Sequence, residues 1–392
     1  MRALAAIPDV SLPDRIAGRL VDRNTESHAL FTREADRLAA ACDEMARRFL
    51  AGGRLIAFGR GAAATDAQHV SVEFVHPVIV GKRALPALDL SAAFTCWLPS
   101  IVREMDVAMG FAPPDGDDAV AGALADARRR GALTFALSGS QGDFALDPPS
   151  KDPFVAQELV EILYHTLWET VHVFLEHRER GNENVGASSF LYPFLGGGDQ
   201  DLDAVTRLVA ASIQAKAKDD EQLRIRVARE QSDRIADATA TIHKKLTNGA
   251  TLLLFGNGGS ATDATDWAID CAAAGIPALS LALEPANVTA IANDIGTEAI
   301  FLRQLIAHGR RGDVAVAIST SGGSPNVIAA LEEARKREML TVALLGYDGG
   351  EILRRGLADL PIVVPCDYIP RIQEVQASIY HVMTECWKPW QA

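Results

Sequence analysis

Cysteine is sparse. The chain has five in 392 residues (Cys42, Cys96, Cys271, Cys366, Cys386), widely scattered and with no CxxC pair. A disulfide scaffold or a cysteine-ligated zinc site is therefore not expected. Nor is there an apolar run of about 18 residues, the length a membrane-spanning helix needs. Residues 1–9 carry one arginine and a very short apolar stretch without clear cleavage context, unlike a signal peptide. The expected compartment is the cytoplasm. Basic residues are also in deficit, 38 against 51 acidic, for a formal charge of -13. That sign argues against nucleic acid as the main partner. It leaves phosphate esters open, because backbone N–H groups at helix starts can hold them.

What is present is repetition. A chain of this length suits two domains of about 190 residues, and 48% hydrophobic residues can fill two cores. GRGAAATDAQHV at 59–70 matches GNGGSATDATDW at 256–267, and PALDLS at 86–91 matches PALSLA at 277–282. AVAGALADARRR at 119–130 lies over NVIAALEEARKR at 326–337, and ALTFALSGSQGD at 132–143 over MLTVALLGYDGG at 339–350. QELVEILYH at 157–165 answers QEVQASIYH at 373–381. Five matches in one order imply a duplication. Its halves are 1–195 and 204–392, with GGGDQDLD at 196–203 as linker.

Each half opens with a long amphipathic helix, predicted at about Thr32–Leu50 and Ala204–Leu246, and closes with another at about 154–176 and 370–387. Alternating strands and helices between them predict an α/β chain of two tandem domains. Each would be a parallel sheet flanked by helices, and the pair would pack as a pseudo-twofold dimer.

Two turns in the second half suit an anion. After TLLLF comes Gly256-Asn257-Gly258-Gly259-Ser260, and after VAVAI comes Ser319-Thr320-Ser321-Gly322-Gly323-Ser324 with Pro325 opening a helix. Glycines allow close backbone approach, a helix start offers N–H groups and a positive dipole end, and proline suits a first helical position. Asn257, Gly258, Ser260, Ser319, Thr320, Ser321 and Ser324 are the candidate phosphate contacts. Helix capping alone would also use such residues. A dinucleotide fingerprint is missing.

GNGGSATDA, AND at 292–294, STSGGSPNV, GYDGG and RIQEVQASIYH resemble the phosphoheptose isomerase family of sugar isomerase (SIS) domains. The resemblance spans nearly all of 204–392 and is fainter in the first half. It implies conversion of sedoheptulose 7-phosphate to a heptose 7-phosphate at a cleft between subunits. Family members without catalytic activity exist, so a sugar-phosphate-binding regulator or protein-interaction module is a rival reading. An isomerase of another ketose phosphate is a third.

The family places a metal-binding His and Glu six and ten positions past the motif serine, with a Gln and a His eight apart on the last helix. Residues four apart share a helix face, and such nitrogen and oxygen donors suit zinc. In the first half these positions hold His69, Glu73, Gln157 and His165; in the second, Asp266, Asp270, Gln373 and His381. Asp266 and Asp270 would be ligands of a modified metal site or simple helix charges. His69 and Glu73 read also as a solvated pair, and His165 and His381 as core histidines. The resemblance further implies sugar contacts from Asn293 and Asp294.

The first half has lost the phosphate motifs, with GRGAA for GNGGS and APPDGD at 112–117 for STSGGS. Complementation follows: one site with phosphate turns from the second half, and acid–base and metal residues from the first. Glu73 would be the base, and His165 or His381 would shuttle the proton. One Gln–His pair, Gln157 with His165 or Gln373 with His381, would complete the site. A homodimer forming a pseudo-tetramer is the expected assembly. Pro370, where the family has an acidic residue, and a shortened 271–275 region leave the sugar open.

Overall fold

The structure, a computed structural model, describes residues 10–78, 82–179 and 202–387. The predicted linker lies almost wholly outside them. In the first half, α1 (Leu12–Leu50), β1 (Leu55–Gly59), α2 (Ala63–Val75), β2 (Ala87–Asp89), α3 (Phe94–Ile101) and β3 (Val107–Phe111) lead to α4 (Asp118–Arg129), β4 (Leu133–Leu137), β5 (Phe144–Leu146) and α5 (Pro153–Glu179). The second half begins with α6 (Leu202–Leu246), β6 (Leu252–Phe255), α7 (Gly259–Ala273), β7 (Ala278–Ser280), α8 (Pro285–Asp294) and α9 (Ile300–His308). It ends with β8 (Val314–Ser319), α10 (Pro325–Lys336), β9 (Leu340–Leu345), α11 (Gly350–Arg354), β10 (Leu360–Val363) and α12 (Ile369–Trp387).

Every residue of β1, β3, β6 and β8 is buried. Apolar runs without alternation belong to strands covered on both faces, and all strand pairings are parallel. The sheets share one order, β2-β1-β3-β4-β5 and β7-β6-β8-β9-β10. In such a sheet the chain reverses its winding between the first and third strands, and ligands bind beyond the carboxyl ends there. The turns after β6 and β8 occupy that position in the second half.

The long helices join the halves. The helix expected from Thr32 starts at Leu12, where Ser11 accepts the Asp14 N–H (3.3 Å). Its extra turns bury Ile16 and Leu20 in the core of the second half. Reciprocally, Val205, Val209, Ile213 and Ala217 of α6 lie in the core of the first. Each half thus supplies apolar surface to the other. Among the described residues, no helix is long and apolar enough to cross a membrane.

Helices α5 and α12 pack antiparallel. His165 Nδ1 meets Glu374 Oε1 at 3.0 Å, and the equivalent pair, His381 Nδ1 and Glu158 Oε1, also lies at 3.0 Å. These reciprocal contacts mark the pseudo-twofold axis.

Candidate active site

Two clusters flank this axis. Around His69, α2 contributes His69 and Glu73, α5 contributes Glu161 and His165, α7 contributes Asp263, and α12 contributes Gln373. All six are buried. His69 Nε2 lies 3.4 Å from His165 Nε2, 3.3 Å from Gln373 Nε2 and 3.9 Å from Glu73 Oε1. The helical period puts His69 and Glu73 on one face, and that face is interior, so they are not a solvated pair.

Neither Gln–His pair expected from the last helices forms a unit. Gln373 joins His165 at His69, whereas Gln157 joins His381 at Asp266. Eight residues of helix rise about 12 Å, too far for both side chains to reach one ion. Antiparallel packing instead sets the glutamine of each helix beside the histidine of the other.

The cluster abuts the phosphate turn. A Cβ on Gly259 would lie 2.3 Å from His69 Nε2 and 2.0 Å from Gln373 Nε2, so any side chain there would push both groups aside. Asn257 and Asn326 exchange side-chain hydrogen bonds of 2.9 and 2.8 Å, tying this turn to the start of α10. Ser319 and Ser321 hydroxyls accept the Gly322 and Gly323 N–H groups at 3.2 and 3.3 Å, keeping their own protons to donate. Neither Gly258 nor Ser324 caps its helix by side chain, and uncapped helix starts attract anions. Ser260 is buried, Asn257, Gly258 and Ser321 are exposed, and Thr320 and Ser324 are half-buried. Asn293 and Asp294 stand exposed at the end of α8, bonded to each other at 2.7 Å, rather than in the buried set.

In the first half the matching ground is different. Asp117 accepts the Ala119 and Val120 N–H groups and caps α4 itself. Ala62, Ala63, Ala112, Pro113 and Pro114 line a cavity of about 240 Å³ where the second half has hydroxyls. Arg60, Ser138 and Gln157 also line it, but Asp66 and Asp270 do too, and the run of turn hydroxyls is missing.

Electrostatics separate the clusters further. Burial, and then the nearby His165, push His69 well below its usual range. Burial and the Arg371 charge take His165 down to about 3. Both rings are neutral. His165 Nδ1 faces Glu374, and His69 Nδ1 faces Asp263 at 3.5 Å. The arrangement suits the tautomer with the proton on each Nδ1, which leaves each Nε2 a lone pair. Two lone pairs converge on one point, and Glu73 Oε2, Glu161 Oε1 and Gln373 Oε1 nearby are buried without a hydrogen-bond partner. This donor set fits a divalent transition metal. Burial, reinforced by Glu169, holds the Glu73 carboxyl up at about 8.

At the other cluster, Asp266 replaces the equivalent of His69. His381 Nε2 lies 3.4 Å from Asp266 Oδ2 and 3.3 Å from Asp270 Oδ2, with Glu158 at Nδ1. Burial alone would lower this histidine, but the three carboxylates outweigh it and raise it well above its usual range. Asp266, Asp270 and His381 could group around an ion, yet the imidazolium already supplies a positive charge there. Phe154 stacks on it at 4.6 Å.

Three residues escaped the sequence reading. Asp263 and its twin Asp66 are the identical aspartates of the two ATDA repeats, a signal that was available. Glu161 has no twin, since Ala377 stands at the matching position; only its spacing of four from His165 hinted at it.

The SIS domain family matches residues 218–346. A stretch of 162 residues, 40% of this chain, is 43% identical to the phosphoheptose isomerase of Geobacter sp. (strain M21) and covers 83% of it. The phosphoheptose isomerase of Geobacter sulfurreducens is 41% identical over 179 residues, 44% of this chain and 94% of that protein. Over 94% of both chains, the fold matches the C-terminal domain of glucosamine-fructose-6-phosphate aminotransferase from Francisella tularensis, with a TM-score of 0.60 at 9% identity. That likeness concerns the fold alone. With its Gly-rich and Ser-rich turns, its two parallel sheets and relatives above 40% identity, the chain belongs to the phosphoheptose isomerase family of SIS domain proteins.

Proposed function

We propose that the chain isomerises a phosphorylated ketose, sedoheptulose 7-phosphate in the first place, at a single composite site around His69. The observation that carries this reading is the contact of His69, from the first half, with Gly259, in the phosphate turn of the second. Phosphate binds at Asn257, Ser260, Ser319, Thr320, Ser321 and Ser324. Binding energy there, remote from the reacting carbons, orients the C1–C2 end.

Glu73 takes the proton alpha to the carbonyl and returns it to the neighbouring carbon of the enediol. Its buried position beside His69 supports this role, since a carboxylate base works best near the ambient pH. With Nδ1 taken by Glu374, the His165 Nε2 lone pair belongs to the metal site rather than to the sugar, and the hydroxyl proton of the enediol moves from O1 to O2 through solvent. His381, enclosed by three carboxylates, belongs to the twin cluster and takes no part. A divalent metal such as zinc, when held by His69, His165 and Gln373, would polarise the carbonyl.

Incubation with sedoheptulose 7-phosphate and shorter ketose phosphates in deuterated water, with and without zinc, tests the reading. Deuterium should enter the sugar at C1. Tight binding without exchange for every sugar would make the chain a regulator instead.

A further inference from the structure

We propose that Glu161 is the carboxylate ligand of the metal site, completing a His69–His165–Glu161 set that leaves Glu73 free of the ion. This rests on the isomerase reading for its meaning but not for its geometry. One ligand atom from each of the three residues lies within 4.8 Å of the others, and all three side chains are buried. Glu161 and His165 are four apart on α5, so they project from one face onto the same point. Glu161 Oε1 is sealed from solvent without a hydrogen-bond partner, an arrangement that is costly unless something satisfies the oxygen.

Glu161 also lines a chamber of about 10 Å³, together with Thr65, Asp66, His69, Asp263 and Asp266 among others. Such a space holds about one water. No lysine or arginine lines it, while Asp66, Asp263 and Asp266 do, so acidic side chains crowd around Glu161 without a cation from the lining. Two imidazole nitrogens and one carboxyl oxygen suit a divalent ion of the zinc, iron or cobalt type better than magnesium or calcium. Gln373 can add a fourth donor through Oε1. Because Ala377 takes the matching place in the twin, the full set occurs once per chain.

Cobalt titration of the chelator-treated full-length chain, followed by visible absorption and calorimetry, tests the assignment. One Co²⁺ should bind per chain. E161Q and E161A should weaken binding at least tenfold, since even outer partners of metal ligands are worth about 10–100-fold. E73Q should bind as the parent does. Circular dichroism melts establish that the variants fold. Parent-like binding by a folded E161A, binding lost in E73Q alone, or no binding by the parent would each overturn the proposal. Exchange into sedoheptulose 7-phosphate is read separately. Turnover without metal binding sinks the ligand set and spares the isomerase; metal binding without turnover does the reverse.

Discussion

The two buried clusters share a scaffold and differ in charge. Around His69, a pair of neutral imidazoles turns lone pairs toward one point; around Asp266, an imidazolium sits among carboxylates. A single exchange accounts for most of this. Where His165 meets an imidazole at 3.4 Å, His381 meets the Asp266 carboxylate at a similar distance, and the neighbour decides whether the histidine holds one proton or two. Backbone space changes in step. His69 needs the bare Gly259, while the shorter Asp266 tolerates Ala62, whose carbonyl accepts a hydrogen bond from Gln157 at 3.3 Å. One twin is thereby left with facing imidazoles and the other with an ion cluster.

Substitution at equivalent positions is the sharpest way to break this comparison. Glu73→Gln should lower kcat about 10²–10⁴-fold, the usual worth of a general base, while Asp270→Asn should stay within a few-fold in steady-state assays. The opposite pattern would move the chemistry to the twin.

Stability should divide the other way. The two Glu158 oxygens share the Arg23 Nε–H (2.9 and 2.8 Å), and one of them accepts from Ser378 (2.6 Å), besides facing His381. Glu158→Gln strands buried cations and should cost about 3–5 kcal/mol in denaturant unfolding. Arg23, Ser378 and His381 come from α1 and α12, so this one carboxylate fastens three helices. A loss below 1 kcal/mol would show that the cluster is not a fastening at all.

Gly259→Ala should reduce turnover at least tenfold through displacement of His69 and Gln373, the order of effect that misplacing a reacting group has. Ala62→Gly, its mirror, should leave turnover intact and cost roughly 0.5–1 kcal/mol of stability. Equal effects on activity would mean that the turn does not shape the site. The smallest change is expected from Ser319→Ala, which should raise KM for the sugar phosphate roughly tenfold, the loss of one hydrogen bond to a charged group. An unchanged KM would remove that hydroxyl from the phosphate site.

Much of this was legible in advance. Apolar runs gave the strands, because a strand covered on both faces has no polar alternation. The Gly- and Ser-rich turns marked the candidate anion site, because few residue types allow close backbone approach. The spacing of His69 and Glu73 gave a shared helix face. Burial of that face did not follow, since a period tells which residues point together and not what they point at.

The amino-acid order alone determined the repeat, the sheet-forming segments and the division between a half with phosphate turns and a half with the histidine–glutamate pair. Only the packing of the halves decided that Gln373 meets His165 and Gln157 meets His381, and that α1 and α6 each begin in the other half's core. It also brought unmatched Glu161 to His69. Contacts across the pseudo-twofold axis join residues far apart in the chain. Local spacing carries no record of them, because they depend on how two rigid bodies dock.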